Sequence, residues 1–451
     1  MFTPGSVILI ILLVLGLFKY RKYDEYYIFL VKVLIVFSIY IQIGFFINIG
    51  GNRIEYAEVL TVLVVLLGIP YIKNAKIPVH SYFFAGTFLL SIVIGYMLLI
   101  FSYYPSKVLP IGGSWDGLIF GKISLQDAAF SFSHIKRFIR VIFYLLLFCI
   151  LDQLLLKNKG KSEELKRFIL NSGLFFVLLC IIEQFSKLFF GTIFIDFSTF
   201  IFGISESQLI ETIERGGEPA IQGLTHEPSW LVFSFMPAIF ILMINNDITE
   251  KKRFFYFIAF IYVILISGSF AGVALAVLYL ISYLISKKSL VIPKLFLLSV
   301  ILVSVAIFIA TSSSLSSLFS YYNERILSFI NNGGIGSEKS RLLSVETAFN
   351  LFKENPFFGI GLGSTDVHGF LPTLLASCGS IGTVSWFLVM LKGFETSRVR
   401  RVGLLLFMLP FLWLTGSLRT VYGLHMILLF LFVFREYKEV TGKSYGLRAS
   451  T

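Results

Sequence analysis

Charge is scarce in this chain. Asp, Glu, Lys and Arg make up 14% of its 451 residues, where a soluble globular protein carries nearer a quarter. Only three cysteines occur, Cys149, Cys180 and Cys378, each in an apolar stretch. They offer no disulfide framework and no zinc spacing, and read as small buried side chains. No Asp-x-Asp pair, Walker loop or Gly-x-Ser-x-Gly elbow is present. A metal-held nucleotide sugar, a nucleoside triphosphate and a serine hydrolase therefore have no motif to rest on. No Lys or Arg lies in Met1 to Ser6, ahead of the first apolar run. That start lacks the basic head of a secretory signal, so the first segment is expected to be a retained span.

What the chain does have is apolar length. Hydrophobic residues are 57% of the total and the mean hydropathy is +0.86. A bilayer core of ~30 Å needs ~20 mostly apolar residues in a helix. Candidate spans run over 7–18, 26–49, 56–69, 82–101, 138–156, 168–190, 230–244, 254–266, 271–285, 295–310, 370–391, 402–418 and 424–434. The expected fold class is an all-α polytopic membrane protein, with residues 1–451 as one transmembrane domain of about 12 or 13 spans.

The net charge of +12 falls in alternate loops: Lys19, Arg21 and Lys22; Lys73 and Lys76; Lys157 to Arg167; Lys251 to Arg253; Lys287 to Lys294; Lys392 to Arg401; and the tail from Arg435. That bias is a topology signal that puts these loops on the cytoplasmic side, and no nucleic-acid partner is expected from it. The opposite side then carries 103–137 and two long loops, 191–229 and 311–369. Loops of that length are uncommon unless they have a task, so chemistry is sought there.

Three segments stand out. The first is Arg215 to Trp230, which brings Arg215, Glu218, His226 and Glu227 into one short stretch ahead of a span. Glu227-Pro228-Ser229 reads as a helix start. Glu227 is either a carboxylate complementing the helix dipole or a general base. The second is Ser337 to Phe352, where Leu342, Val345, Phe349 and Phe352 recur at helical spacing, as in an amphipathic helix along the membrane surface. Arg341 is expected in its first turn, where a cation opposes the dipole unless an anion binds; pairing with Glu338 is the alternative. The third is Gly359-Ile360-Gly361-Leu362-Gly363, followed by Asp366 and His368. With no strand before it, it reads as a flexible turn rather than a dinucleotide site. Glu55 and Glu58, at the start of a span, read as an exposed face.

In this order and spacing, these residues resemble the O-antigen polymerase and ligase superfamily of bacterial envelope glycosyltransferases, the Wzy and WaaL types. The resemblance rests on Arg215-Gly216 with Glu227-Pro228-Ser229, on Arg341 with Asn355-Pro356 and the glycine string, and on His368 with Gly379 and Gly382. It covers residues 215–386. The chain departs from the pattern after Ser267-Gly268-Ser269, where Phe270 stands in place of an Arg, and near His368, where Gly369 and Ser377 replace a Glu or Asn.

The resemblance implies a GT-C-like bundle in the bacterial inner (plasma) membrane, with its active site facing the periplasm or exterior. The implied partners are membrane lipid and an oligosaccharide carried on undecaprenyl diphosphate, with a chain-length regulator as a further candidate. No cofactor and no metal are implied. A polymerase moves the growing glycan onto the next lipid-linked repeat unit; a ligase moves it onto lipid A–core. Cations must meet the departing diphosphate, and Arg215, Arg341 and Arg325, with His226, are the candidates. A base must take the acceptor proton, with Glu227 first and His368 second. A flippase for the same lipid is the alternative from another class, but it would place charges inside its spans.

Overall fold

A computed structural model of the chain describes residues 2–41, 45–49, 52–73, 79–101, 107–109, 124–157, 159–190, 193–203, 214–215, 218–219, 221, 223–225, 228–244, 248–267, 269, 276, 324, 327, 337–364, 367 and 369–391. The expected spans 295–310, 402–418 and 424–434 lie outside them, as does all of 271–285 except Ala276.

The described chain is mostly helical. Helix α1 (Pro4–Lys19) begins with a capping box between Thr3 and Ser6 and has Pro at its start, where the missing N–H costs no intrahelical bond. Helix α2 (Tyr23–Ile35) runs into a π-turn over Val36–Tyr40. A small hairpin, β1 (Ile47–Ile49) with β2 (Asn52–Ile54), leads to α3 (Tyr56–Lys73) and α4 (Val79–Ile100). A second hairpin, β3 (Lys107–Val108) with β4 (Gln126–Asp127), precedes α5 (Phe132–Lys157). Next come α6 (Lys159–Phe190) and α7 (Ile193–Phe202), then a third hairpin, β5 (Glu214–Arg215) with β6 (Glu218–Pro219). Helices α8 (Pro228–Ile244), α9 (Glu250–Ile266), α10 (Ser337–Glu354) and α11 (Phe370–Leu391) follow.

These helices are apolar on their outward faces as well as inside. On α4, Phe83, Leu90, Met97 and Ile100 are exposed while Phe88, Ile92, Tyr96 and Leu99 are buried. On α6, Leu178, Ile182, Phe185 and Phe189 are exposed. A helix that is apolar all round satisfies its own backbone and suits a lipid surround. Among the described residues, three helices are long and apolar enough to cross a membrane, over Phe83–Ile100, Glu163–Lys187 and Phe370–Leu388; Pro4–Lys19, Tyr56–Ile72 and Trp230–Ile239 are shorter apolar helices. One continuous apolar core joins α1 through α9 and α11. Within it α11 packs most extensively against α4, with Phe88 and Trp386 rings 5.0 Å apart.

Two expectations change. Glu58 is not on an exposed face: it is largely buried and ion-paired with Arg140 of α5, because the first turn of α3 packs on that helix. On α10 the buried row is Ser340, Ser344, Ala348 and Leu351, since small side chains let the helix approach its neighbours closely. The bulkier row stays outward, with Leu342 exposed and Val345, Phe349 and Phe352 half-buried. Ala348 and Leu351 join Val108, Leu109, Ile360, Val367 and Ala376 in a second, smaller apolar cluster, which ties α10 to the β3–β4 hairpin and to the segment before α11.

Candidate functional site

The centre of the arrangement is a break in α11. Gly379 sits at φ 63°, ψ −169°, inside the helix, a region that only glycine occupies readily. The break leaves carbonyls before it and N–H groups after it without helical partners, and in an apolar surround each must be satisfied. The chain from Asn355 to Gly363 does this. Pro356 stops α10, and the turn lies against the break in register. Ile360 N–H donates to Ala376 C=O at 2.9 Å and Gly361 N–H to Ser377 C=O at 3.0 Å. In return Ser380 N–H donates to Pro356 C=O at 2.8 Å and Ile381 N–H to Phe357 C=O at 3.2 Å. The glycine string is therefore a fixed seam, not the flexible turn expected from its composition. Gly359 has φ +66°, and a Cβ there would lie 2.5–2.6 Å from the backbone of Ala376 to Cys378.

Two further helices fasten the seam. Gly95 of α4 lies against the Gly361 backbone. The Tyr96 hydroxyl sits between two carbonyls, 2.8 Å from Leu362 and 2.9 Å from His134. His134, in the first turn of α5, is wholly buried. Its Nδ1 lies 3.0 Å from both the N–H and the Oγ of Ser131 and 3.2 Å from the Ser131 carbonyl. Its Nε2 is 3.1 Å from Ser364 Oγ, which donates to Ile360 C=O at 2.7 Å. This imidazole precedes the apolar stretch of α5. Burial pushes it below its ordinary value of 6.5; the backbone hydrogen bond at Ser131 works the other way, and the Arg137 charge adds to the fall. Arg137, one turn on, runs its side chain across Gly363, where a Cβ would meet its Cδ at 2.7 Å.

The segment entering α8 is seated differently. Gly223 N–H donates to Glu183 Oε2 of α6 at 2.6 Å. Glu183 is fully buried and pairs with Lys187 at 2.7 Å. Gly223 takes φ +61°, and a Cβ would press on Phe176 and Cys180. Ile221, Leu224 and Thr225 are buried beside it.

Of the residues proposed from sequence as catalytic or substrate-binding, Arg341 is the one whose side chain is described. It is half-buried and falls in the second turn of α10, not the first, because the helix begins at Ser337; the dipole argument is weaker there. Arg215 is placed by its backbone, opposite Glu218 in the β5–β6 hairpin. His226, Glu227, Arg325 and His368 lie outside the described residues. Sequence reasoning passed over His134 and Arg137, and took Glu183 and Lys187 only as charges near the edge of a span, whereas Glu183 is fully buried. Signals were there: four basic or imidazole side chains within 134–140, and a carboxylate inside an apolar span.

Residues 254–374 match a family model described as O-antigen ligase. That stretch takes in α9 from its second turn, α10, the glycine seam and the start of α11, together with Arg325, Arg341 and His368; Arg215 and Glu227 fall before it. No curated protein matches the chain.

Proposed function

From the premise that the match over 254–374 supports the O-antigen polymerase and ligase superfamily, we propose that this membrane protein is a polysaccharide polymerase. It transfers a growing glycan from undecaprenyl diphosphate onto a lipid-linked repeat unit. In this reading residues 1–451 form one GT-C-like bundle of about 12 or 13 spans in the inner membrane. Loops 191–229 and 311–369 face outward, and α10 lies along the outer surface with its Leu342 row toward lipid.

The chemistry is one displacement. An acceptor sugar hydroxyl attacks the anomeric carbon, the bond from that carbon to the diphosphate oxygen breaks, and the hydroxyl proton passes to a base. Guanidinium groups stabilise the charge developing on the diphosphate and hold its oxygens in pairs. Arg341, Arg215 and Arg325, with His226, take that role, and Arg137 joins them. Glu227 is the base, with His368 as the second candidate. The donor is already activated, so the step as written calls on no metal or nucleotide.

The observation that carries this reading is the seam. A glycine turn fixed into the break of α11 and crossed by Arg137 leads within five residues to His368, inside the matched segment. A rigid, cation-bearing turn beside a membrane helix is what a lipid diphosphate requires. The match to an O-antigen ligase family makes the ligase the second reading, and the two share this chemistry. A transporter is less well supported, because the buried pair Glu183–Lys187 binds a loop backbone.

The test is turnover of a purified lipid-linked repeat unit by the reconstituted protein, with and without lipid A–core. Polymer without lipid A–core supports the polymerase, and product only on lipid A–core makes it a ligase. No glycosidic bond in either case, with uptake of the lipid-linked unit instead, would sink both.

A further inference from the structure

His134 takes no part in that displacement, yet it is wholly buried and its Nε2 meets Ser364 at the end of the glycine turn. We propose that His134 is a positioning residue: through Ser364 it holds the glycine turn on α5, and so sets how that turn stands beneath the Arg137 guanidinium. The inference rests on the transfer reading above for its consequence, and on geometry alone for the holding.

The hydrogen bonds give the ring a direction. Ser131 N–H donates to Nδ1, which makes Nδ1 the bare nitrogen and leaves the proton on Nε2, facing Ser364 Oγ. Ser364 in turn donates its O–H to Ile360 C=O. A continuous chain of donors thus runs from the N-terminal turn of α5 into the backbone of the seam. Phe130 stacks on the imidazole at 5.2 Å, and Tyr96 from α4 meets it edge-on at 5.5 Å. Those rings fix the imidazole plane, so Nε2 has one target.

The same arrangement makes the hold sensitive to acid. A second proton on Nδ1 removes the acceptor of Ser131 N–H, although the Ser131 carbonyl at 3.2 Å can then accept from it. It also places a charge in a dry site beside a guanidinium. Arg137 on the same helix and Tyr96 on α4 are the charged or titratable groups facing the ring among the described residues, and neither is an anion. The turn contributes Ser364.

Two measurements on the full-length protein in proteoliposomes decide it. The first is transfer rate against pH, using the purified lipid-linked repeat unit. Wild type loses rate on the acid side. His134→Phe, which keeps a ring and loses both nitrogens, lowers kcat about tenfold and leaves KM for the lipid within about twofold, as expected for misplacement rather than lost binding. His134→Gln retains an amide donor toward Ser364; it restores part of kcat and has no imidazole limb. Ser364→Ala matches His134→Phe, and the double variant is no worse than either single one.

The second measurement is hydrogen exchange over 356–364. Protection of this segment drops with acid in wild type, and in His134→Phe it is low at every pH. This arm needs no turnover, so it judges the hold even if the transfer reading fails. Wild-type kcat, acid limb and protection in His134→Phe would overturn the proposal, as would losses at His134 and Ser364 that multiply in the double variant.

Discussion

The loop entering α8 and the loop entering α11 are both held onto a neighbouring helix, but by different physics. The first is held by charge: one carboxylate, Glu183, is shared between Lys187 and the Gly223 N–H. The second is held by neutral groups: four backbone hydrogen bonds across the Gly379 break, the Tyr96 hydroxyl, and the His134–Ser364 pair. A buried ion pair concentrates its effect in few atoms, and removing one partner strands the other in a medium of low dielectric. A seam of neutral hydrogen bonds spreads its effect, and each bond contributes about 1 kcal/mol. One substitution should therefore release the first loop, whereas the second should yield only where the backbone itself is obstructed.

Glu183→Ala is the sharpest way to break the first arrangement. It takes the carboxylate from a buried ammonium and an acceptor from Gly223, and should cost about 3–5 kcal/mol. Unfolding in detergent, followed by denaturant titration, would measure it. Glu183→Gln keeps an oxygen for Gly223 and should recover the smaller part. Glu183→Ala with Lys187→Met should recover the larger part. If the double replacement is as unstable as the single one, the pair is not what holds this loop.

In the second arrangement Gly359→Ala should have the next largest effect, about 3 kcal/mol. It combines a left-handed φ of +66° with a collision against backbone that has no rotamer to move. By contrast, Gly363→Ala meets only the flexible stem of Arg137 and should cost less, mainly the strain of its φ of +102°. Thermal melts of the two variants side by side would show whether the seam is held by backbone fit or by side chains.

These contacts also mark how far the sequence could be read. The helices over 82–101, 168–190, 230–244 and 254–266 were legible because apolar length alone specifies them, and the structure has helices there. That α10 is a helix was legible from its period, but its inward face was not. Ser340, Ser344 and Ala348 carry no hydrophobic signal, and their small size matters only once a neighbour is present. The glycine string looked loose because composition reports freedom and not the partner that removes it. Gly379 gave no hint of a break, since one glycine in a span is common. Arg341 could be singled out by its pattern, whereas no motif around His134 in the sequence marks it, because its contact is with Ser364, 230 residues away.

Acid should separate the two loops. Above about pH 6.5 His134 is neutral in the folded and unfolded chain alike, and its favourable contribution is present in full. As pH falls, the unfolded imidazole takes up a proton first, because the folded one titrates lower. Stability therefore declines through that window and levels off below the folded value. Hydrogen exchange should show 356–364 loosening while the peptide containing 221–225 keeps its protection. Equal loosening of both would mean a general acid effect and remove His134 from the account.

The smallest structural effect expected is that of Arg341→Ala. The side chain is half-buried on α10, and among the described residues the hydrogen bond at Arg341 is made by its backbone: Ser344 Oγ donates to the Arg341 carbonyl at 2.8 Å, which alanine retains. Stability should change by no more than about 0.5 kcal/mol. If Arg341 grips the leaving diphosphate, polymer should nonetheless vanish while single repeat units still reach lipid A. Arg341→Lys should rescue little, because an ammonium cannot engage two phosphate oxygens in a fixed fork. The contrast with Glu183→Ala is the point. There, activity is lost because a loop is lost, and the melting temperature falls with it. Here the melt should stay in place and the chemistry should go. A variant that still makes full-length polymer would take Arg341 out of the site and turn the same test on Arg137, across Gly363.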